Sequence, residues 1–272
     1  MTDPFARTSS RRFLHRLNPL AVVTAVAPAV VVLVAVRDLA TPLVLLVLAT
    51  MLLLAGAQVP ARRAPLAFGL PVAFTLVAAV SFGFWADPDA IPGTPVLFEA
   101  GSYRFTVASW LAGLGISLRL GALLAVVLLP GFATTGPDLV RAVVQNLRVP
   151  YRIGYTAFAA FRFVPRFGYE LGLIRAAHRV RGVAGGRGPL AGLRRWTGYI
   201  VPLLAGAIRH AERVALAMDA RAFGAHPTRT ERYLLPFRRR DGAFVGACWA
   251  VTAAVALFAQ PVLGLPIPVA TV

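Results

Sequence analysis

Two arginines, Arg181 and Arg221, each stand in the last turn of a predicted water-facing helix. A glycine follows each of them closely, Gly182 after the first and Gly224 after the second. A cation at this place lies beside the partial negative charge of the helix C-terminus, and the glycine lets the chain turn away. Such ends are common in structural helices. Two similarly terminated basic ends in one chain suggest two similar docking sites on another molecule.

The helices that position these arginines are predicted over residues 166–181 and 202–222. The second helix has one apolar stripe at the spacing of a buried face, made of Leu204, Ile208, Ala211, Ala215, Met218 and Ala222. The first has two narrower stripes. Helices of this kind need neighbours on more than one side.

The composition is that of a membrane protein. Hydrophobic residues make up 58% of the 272 residues, charged residues only 14%, and the mean hydropathy is +0.70. The net charge is +17, and all 28 basic residues are arginine. In a soluble protein this charge would suggest nucleic acid, but here its distribution follows membrane topology, so no nucleic-acid partner is expected.

Five apolar segments are predicted to cross the membrane, approximately at 17–36, 39–61, 64–86, 106–130 and 242–260. Between the last two, residues 131–241 carry 19 of the 28 arginines against six acids. Because positive charge favours the cytoplasmic side, the tail 1–16 and the segment 131–241 are predicted to be cytoplasmic. The sequence therefore predicts an all-α integral membrane protein of the inner (cytoplasmic) membrane. Its domains are a tail (1–16), four spans (17–130), cytoplasmic helices (131–241) and a last span with a short tail (242–272).

The cytoplasmic segment is predicted to contain helices at about 137–147, 151–164, 166–181 and 202–223. Breaks are predicted at Pro150, at Pro165 and at the glycine-rich run 182–189, because proline and glycine interrupt helices. Its helices are apolar enough to lie along the inner face of the membrane.

The chain lacks the residue groups of an enzyme. It has no lysine for a phosphate-binding loop, and its four histidines have no metal-ligand spacing, so we interpret them as polar surface. Arg119, inside the fourth span, is interpreted either as reaching the cytoplasmic headgroups or as contacting the cytoplasmic helices. Three glycines of the same span, Gly113, Gly115 and Gly121, would permit close helix approach. Asp219 could orient Arg221 or accept a hydrogen bond from a partner.

From about residue 116 to 237 the chain resembles the transmembrane T component of energy-coupling factor (ECF) transporters. The resemblance rests on several short motifs in order: Ser117-Leu118-Arg119-Leu120, Thr134-Thr135-Gly136-Pro137-Asp138-Leu139, Arg148-Val149-Pro150, Phe161-Arg162-Phe163-Val164-Pro165, and the two arginine motifs. The family has two Ala-Arg-Gly-like motifs at the ends of two coupling helices. Here they are Val180-Arg181-Gly182 and Ala220-Arg221-Ala222, and each departs at one position. Gly224 is predicted to take over the helix-ending role that Ala222 lacks.

The resemblance implies a non-catalytic coupling subunit. Each motif arginine would dock into one of two cytoplasmic ATPase subunits, or into one half of a fused pair, and these partners would bind the ATP. The helices would transmit the ATPase movement to a membrane-embedded S component that takes up a vitamin or a transition metal such as cobalt or nickel. Asp219, Gly224, Arg119, Arg162 and Pro165 would support the docking residues.

The alternative class is a self-contained permease or a membrane-embedded enzyme. A permease should show acids or histidines within spans and a repeat between its halves, and an embedded enzyme should show clustered Asp, Glu or His. Neither pattern is visible in this sequence. The substrate, the identity of the ATPases and the number of S components served stay open.

Overall fold

The computed structural model describes residues 13–36, 38–56, 69–85, 95–100, 103–182, 189–226, 230–231 and 233–263. In chain order its elements are a 3-10 helix (Phe13–Arg16), α1 (Pro19–Ala35), α2 (Ala40–Gly56), α3 (Leu70–Trp85), β1 (Val96–Ala100), β2 (Tyr103–Thr106), α4 (Val107–Ala133), α5 (Gly136–Asn146), α6 (Tyr151–Val180), α7 (Pro189–Asp219) and α8 (Arg239–Leu263). The helical class predicted from the sequence is therefore confirmed.

A short antiparallel hairpin is the exception to the helical class. The strands β1 and β2 pair with Phe98 opposite Phe105 and Glu99 opposite Arg104. The ring of Phe105 also packs on Phe84 of α3, with 5.1 Å between the ring centroids. Cross-strand pairing and this aromatic contact favour strands over a loop.

The chain divides into two compact units, one formed by Met1–Ala142 with Leu235–Val272 and the other by Val143–Leu234. In the first unit α4 is the central helix, packing against α1, α2 and α3, while α8 packs against α1 and α2. Its core consists of leucine, valine and alanine side chains of these helices, among them Leu33, Leu53 and Ala122. Burial of such side chains is the main stabilising contribution in this unit.

Two glycines bring α4 against α3, as the sequence predicted. A Cβ placed on Gly113 would lie 2.7 Å from the Ala79 carbonyl oxygen and would also overlap the Gly83 nitrogen. A Cβ on Gly121 would lie 3.4 Å from the Pro71 carbonyl oxygen and would overlap the side chain of Thr75.

Gly115 differs from these two glycines, because its nearest neighbour would be a Leu39 methyl carbon at 3.6 Å. That is ordinary van der Waals contact. The close packing of the two backbones therefore depends on Gly113 and Gly121, and Gly115 contributes little to it.

A buried carboxylate fixes the start of α8 to the start of α1. Asp241 is 1% exposed and accepts hydrogen bonds from the backbone nitrogens of Asn18 (3.1 Å) and Arg238 (2.7 Å). The Asn18 side chain caps α1 and donates to the Leu235 carbonyl oxygen at 2.9 Å. Both carboxylate oxygens are thus used to satisfy backbone donors at helix starts.

Arg119 makes its contact within the first unit. Its Nη2 donates to the carbonyl oxygen of Val36, the residue that caps the C-terminus of α1, at 2.8 Å. From the sequence, its expected partners were lipid headgroups or the cytoplasmic helices. The hydrogen bond in the structure is instead to the C-terminal end of α1. A guanidinium beside the negative end of a helix is favourable, which accounts for the charge in this apolar unit.

Among the described residues, two helices are long and apolar enough to cross a membrane by length and composition. They are α4, with a mean hydropathy of 2.1, and the Arg239–Ala259 part of α8, with 1.9. The apolar helices α1, α2 and α3 have 17, 17 and 16 residues. Each is therefore about 25 Å long. Parts of the second and third predicted spans, at 57–61, 64–68 and 86, lie outside the described residues.

The second unit contains an antiparallel pair of long helices, α6 and α7. The ring of Phe163 lies 4.9 Å from that of His210, and the ring of His178 lies 5.2 Å from that of Tyr199. Later residues of α6 thus meet earlier residues of α7. The pair has little core of its own, since Gly154 is the one buried residue within the described part of these two helices.

Two predicted helix boundaries in this unit are wrong. Pro165 was expected to end a helix, but α6 continues through it from Tyr151 to Val180 as one helix of 30 residues. Pro202 was expected to begin a helix, but α7 already starts at Pro189. Each internal proline removes one backbone hydrogen bond. The contacts between the two helices favour continuity despite that loss. The glycine-rich run at 183–188 lies outside the described residues.

Candidate functional site

The first arginine motif forms the C-terminal cap of α6. The helix ends at Val180, and Arg181 is the cap residue, its backbone nitrogen donating to the Ala177 carbonyl oxygen at 3.1 Å. The Gly182 nitrogen donates to the Arg179 carbonyl oxygen at 3.1 Å, and Gly182 has a φ of +69°. The third residue of the motif thus adopts the left-handed conformation that terminates many helices.

The second motif lies at the end of α7, whose last helical residue is Asp219. The Phe223 nitrogen donates to the Met218 carbonyl oxygen at 3.0 Å, and the Ala222 nitrogen donates to the Asp219 carbonyl oxygen at 2.9 Å. These two bonds define a Schellman motif, in which Arg221 is the cap and Ala222 is the left-handed residue, with a φ of +52°. In both motifs the arginine therefore directly precedes a left-handed residue, with Arg181 one residue beyond the last residue of α6 and Arg221 two residues beyond that of α7.

The left-handed alanine has an energetic cost that glycine would not have. An L-residue in this conformation is disfavoured by roughly 1 kcal/mol relative to glycine. Ala222→Gly is therefore expected to stabilise the end of α7 by about 1 kcal/mol, measured as roughly fivefold slower amide hydrogen exchange of residues 220–225. Gly182→Ala is the reciprocal control and should speed exchange at the end of α6. Unchanged exchange in both variants would contradict the assigned caps.

The two guanidinium groups are available to a partner. Both arginines are exposed, and within the described residues neither side chain makes a hydrogen bond or an ion pair. Asp219, predicted to orient Arg221, contributes its backbone carbonyl to the cap, and the described residues contain no Asp219–Arg221 ion pair. Val180, beside the first arginine, is 90% exposed. The motif residues therefore form two exposed basic helix ends.

The two helix ends lie far apart in the second unit. The end of α7 packs near the beginning of α6, because the ring of Phe223 lies 5.6 Å from that of Tyr151. The end of α6 is 30 residues further along that helix. At 1.5 Å per residue, the two arginine motifs are separated by about 45 Å.

The chain that follows the second motif is held by the start of α6. Arg152 donates from Nη2 to the Gly224 carbonyl oxygen at 2.8 Å, and the Tyr151 hydroxyl donates to the His226 carbonyl oxygen at 2.8 Å. The ring of Tyr155 lies 5.4 Å from that of Phe223. We call Tyr151, Arg152 and Tyr155, with residues 223–226, the α7 clasp. The clasp was not predicted from the sequence. The four-residue spacing of Tyr151 and Tyr155 does place both rings on one face of α6.

Aromatic and basic side chains also connect the two helices near the first motif. The Arg175 guanidinium carbon lies 5.9 Å from the ring centroid of Trp196 and 5.8 Å from that of Tyr199. His178 packs edge-on against the same tyrosine. These are cation–π and aromatic contacts, which stabilise such pairs modestly.

The histidines are more involved in packing than the surface role we predicted. His178 and His210 contact aromatic rings, and Nδ1 of His210 is buried without a hydrogen-bond partner among the described residues. Burial lowers the pKa of His15 in the first unit, although a hydrogen bond with the Ala133 backbone acts in the opposite direction. Within the described residues, no three His, Cys, Asp or Glu side chains are grouped so that they could hold a metal ion.

A groove lies between the middle parts of α6 and α7. Its volume is about 250 Å³, and its lining is mainly apolar, with Phe163, Phe167, Ile208 and Ala211 among its residues. An ion pair between Arg166 and Glu170, with 3.1 Å between Nε and Oε1, lies at the same place.

The apolar stripe predicted to be the buried face of the second helix is largely exposed. Leu204 is 57% exposed, Ile208 is 59% exposed, and Leu216 of the same helix is 68% exposed. The α6 residues Tyr169 and Leu173 are 69% and 54% exposed. Within the described part of the second unit the stripe is therefore largely exposed, and exposed apolar surface of this extent is typical of binding or membrane contact.

The remaining predicted supporting residues do not adjoin either arginine. Arg162 and Pro165 are in the middle of α6, about 28 and 24 Å along the helix from Arg181. Arg119 belongs to the first unit. Gly224 lies two residues beyond Ala222, and its φ of +91° requires glycine or strain.

Comparison with known proteins gives a consistent family. The CbiQ family, described as cobalt transport protein, matches residues 10–232. The energy-coupling factor transporter transmembrane protein EcfT of Leuconostoc gelidum is 28% identical over 55% of this chain and 59% of its own length. EcfT of Streptococcus equi is 26% identical over 84% of this chain and 86% of its own length. A putative ABC transporter ATP-binding protein of Bifidobacterium longum is 35% identical over 35% of this chain and 12% of its own length.

The alignment with the Leuconostoc protein thus spans about three fifths of that relative. The two EcfT relatives are named as transmembrane proteins of transporters, and the apolar helices described above agree with this. The chain is therefore a helical membrane protein.

Proposed function

Because this chain belongs to the CbiQ family of cobalt transport proteins, we propose that it is the transmembrane coupling subunit of an ECF-type ABC importer. In this role it transmits the ATP-driven movement of two cytoplasmic ATPase subunits, or of a fused pair, to a substrate-binding S component in the membrane. The cargo class is a vitamin or a transition metal, and its identity is determined by the S component. The subunit itself has no catalytic step, and ATP is bound by its partners.

One observation carries this proposal. Arg181 and Arg221 each directly precede a left-handed residue at one of two helix ends, and these ends are about 45 Å apart. Two exposed arginine side chains at this separation fit two partner subunits with similar docking grooves better than they fit one small ligand. An exposed arginine can make several charge-assisted hydrogen bonds to acidic or carbonyl oxygens in such a groove.

The α6–α7 pair would act as the transmission element. When the two ATPase grooves approach or separate, the two arginine ends are displaced with them, and the long helices carry that displacement along their length. The exposed apolar residues of both helices, such as Leu173 and Leu204, are the surface that we assign to the S component and the membrane face. Movement of this surface would change its fit to the S component. The helix pair would thus have two arrangements, and both the ATPases and the S component would shift the equilibrium between them.

The topology that we propose has five spans, namely α1, α2, α3, α4 and α8. The arginine-rich residues 131–241 and the N-terminus would face the cytoplasm, so the protein would be a multi-pass component of the inner (cytoplasmic) membrane. This orientation presents both arginine motifs to soluble ATPases. Hydrocarbon thickness is about 30 Å, so the shorter helices would need flanking residues or local thinning to complete their crossings.

The test is co-purification of the tagged chain after co-expression with ATPase and S-component candidates encoded beside it. We expect a complex that contains all components, hydrolyses ATP and supports uptake in proteoliposomes with ATP inside. The matched control omits the ATPases and should give no uptake. Uptake by the chain alone, or purification without ATPases under all detergent conditions, would contradict the proposed function.

A further inference from the structure

The α7 clasp connects the second docking end to the opposite end of its neighbouring helix. We infer that Arg152 is the positioning residue of the second docking end: its guanidinium fixes the chain after Arg221 and thereby the direction of that arginine. This inference rests on the proposed function, since it assigns Arg152 a role in docking at the same site.

The contact between Arg152 and Gly224 is more than one hydrogen bond. Besides the 2.8 Å bond to the Gly224 carbonyl oxygen, the guanidinium covers the face of this glycine. A Cβ on Gly224 would lie 3.2 Å from Nη2, 3.3 Å from Nε and 3.4 Å from Cζ of Arg152. Glycine at 224 is thus favoured by its φ of +91°, and a Cβ in its place would displace the guanidinium by a few tenths of an ångström.

The rest of the clasp fixes the same four-residue segment. Tyr151 holds His226 by a hydrogen bond, and the rings of Tyr151 and Tyr155 lie 5.6 and 5.4 Å from that of Phe223. Phe223 directly follows the left-handed residue of the Schellman motif in which Arg221 is the cap. The segment is therefore fixed two, three and five residues beyond the arginine, and the arginine backbone has little freedom to turn.

The first docking end lacks an equivalent hold among the described residues. No described atom lies within 4 Å of the position that a Cβ on Gly182 would take, and the last described ring contact of α6 with α7 is at His178. Loss of Arg152 should therefore weaken docking at Arg221 and leave docking at Arg181 unchanged. A general loss of folding would weaken both.

The test measures binding of the purified ATPase subunits to the full chain in nanodiscs, with Arg152→Ala in two backgrounds. In Arg181→Glu, where docking depends on the second end, Arg152→Ala should weaken binding about tenfold. In Arg221→Glu, where docking depends on the first end, it should have no further effect. Arg209→Ala removes an exposed arginine from α7 outside the clasp and is the matched control, with unchanged binding in both backgrounds.

Amide hydrogen exchange supplies a second readout that does not need the ATPases. Arg152→Ala should speed exchange of residues 222–226 about tenfold and leave residues 179–182 unchanged. Equal binding losses in both backgrounds, or unchanged exchange at 222–226, would overturn the inference. If Arg221→Glu itself left ATPase binding intact, the proposed function would fail, and the exchange result would still decide whether Arg152 holds this helix end.

Discussion

Reversing the charge of both Arg181 and Arg221 to glutamate is expected to abolish assembly with the ATPases and ATP-dependent uptake, while the chain still inserts into the membrane. Each reversal replaces a donor of charge-assisted hydrogen bonds by an acid, at a cost of about 2–5 kcal/mol if the contact is buried by the partner. An acid at a helix C-terminus adds a smaller unfavourable contribution of about 0.3–1 kcal/mol. The two ends are too far apart to interact directly, so the two losses should add.

The measurement is the apparent Kd for each ATPase and the uptake rate, for both single variants and the double variant. Arg179→Glu with Arg213→Glu is the matched control, because these exposed arginines lie in or near the last turns without being cap residues. The control should retain most of the binding. Equal losses in the control and the double variant would mean that overall charge, rather than the two caps, attracts the ATPases.

Gly113→Ala is expected to disrupt the first unit, with a loss of about 2–4 kcal/mol in the free energy of unfolding. The added methyl carbon would lie 2.7 Å from the Ala79 carbonyl oxygen and would overlap the Gly83 nitrogen, and both are backbone atoms that cannot rotate away. The helices α3 and α4 would have to separate along their contact.

Thermal unfolding in detergent and yield after purification measure this effect. Gly115→Ala is the matched control two residues away, because its methyl carbon would meet Leu39 at an ordinary 3.6 Å. The control should be neutral or stabilising by up to about 1 kcal/mol, since alanine favours a helix over glycine. Equal stability of the two variants would show that the close approach at Gly113 does not hold the helices together.

The elements that sequence analysis predicted well are those determined by local chemistry. The apolar runs predicted the helices of the first unit, and the arginine followed by glycine predicted the end of α6, which lies at Val180. For both, the deciding interaction lies within one or two turns of the residue. The close approach at Gly113 is a contact with α3, and the same prediction made for Gly115 was not matched by a close contact there.

The features that it missed depend on tertiary contacts. Pro165 and Pro202 signal breaks by their own chemistry, and only packing between α6 and α7 outweighs that signal. The Arg152–Gly224 contact joins residues 72 positions apart, which no local pattern reveals. At Ala222 the prediction moved the helix-ending role to Gly224, whereas alanine itself takes the left-handed conformation and Gly224 adds a second left-handed residue.

The two internal prolines also affect how the α6–α7 pair bends. Each lacks one backbone hydrogen bond and lies near the middle of its helix, whereas aromatic contacts join α6 to α7 and the residues after it at Tyr155–Phe223, Phe163–His210 and His178–Tyr199. The two helices are therefore expected to bend most easily at these two prolines. A load applied at either arginine would be absorbed mainly as curvature near Pro165 and Pro202, so the mid-section, rather than the loaded ends, would undergo the largest change of shape.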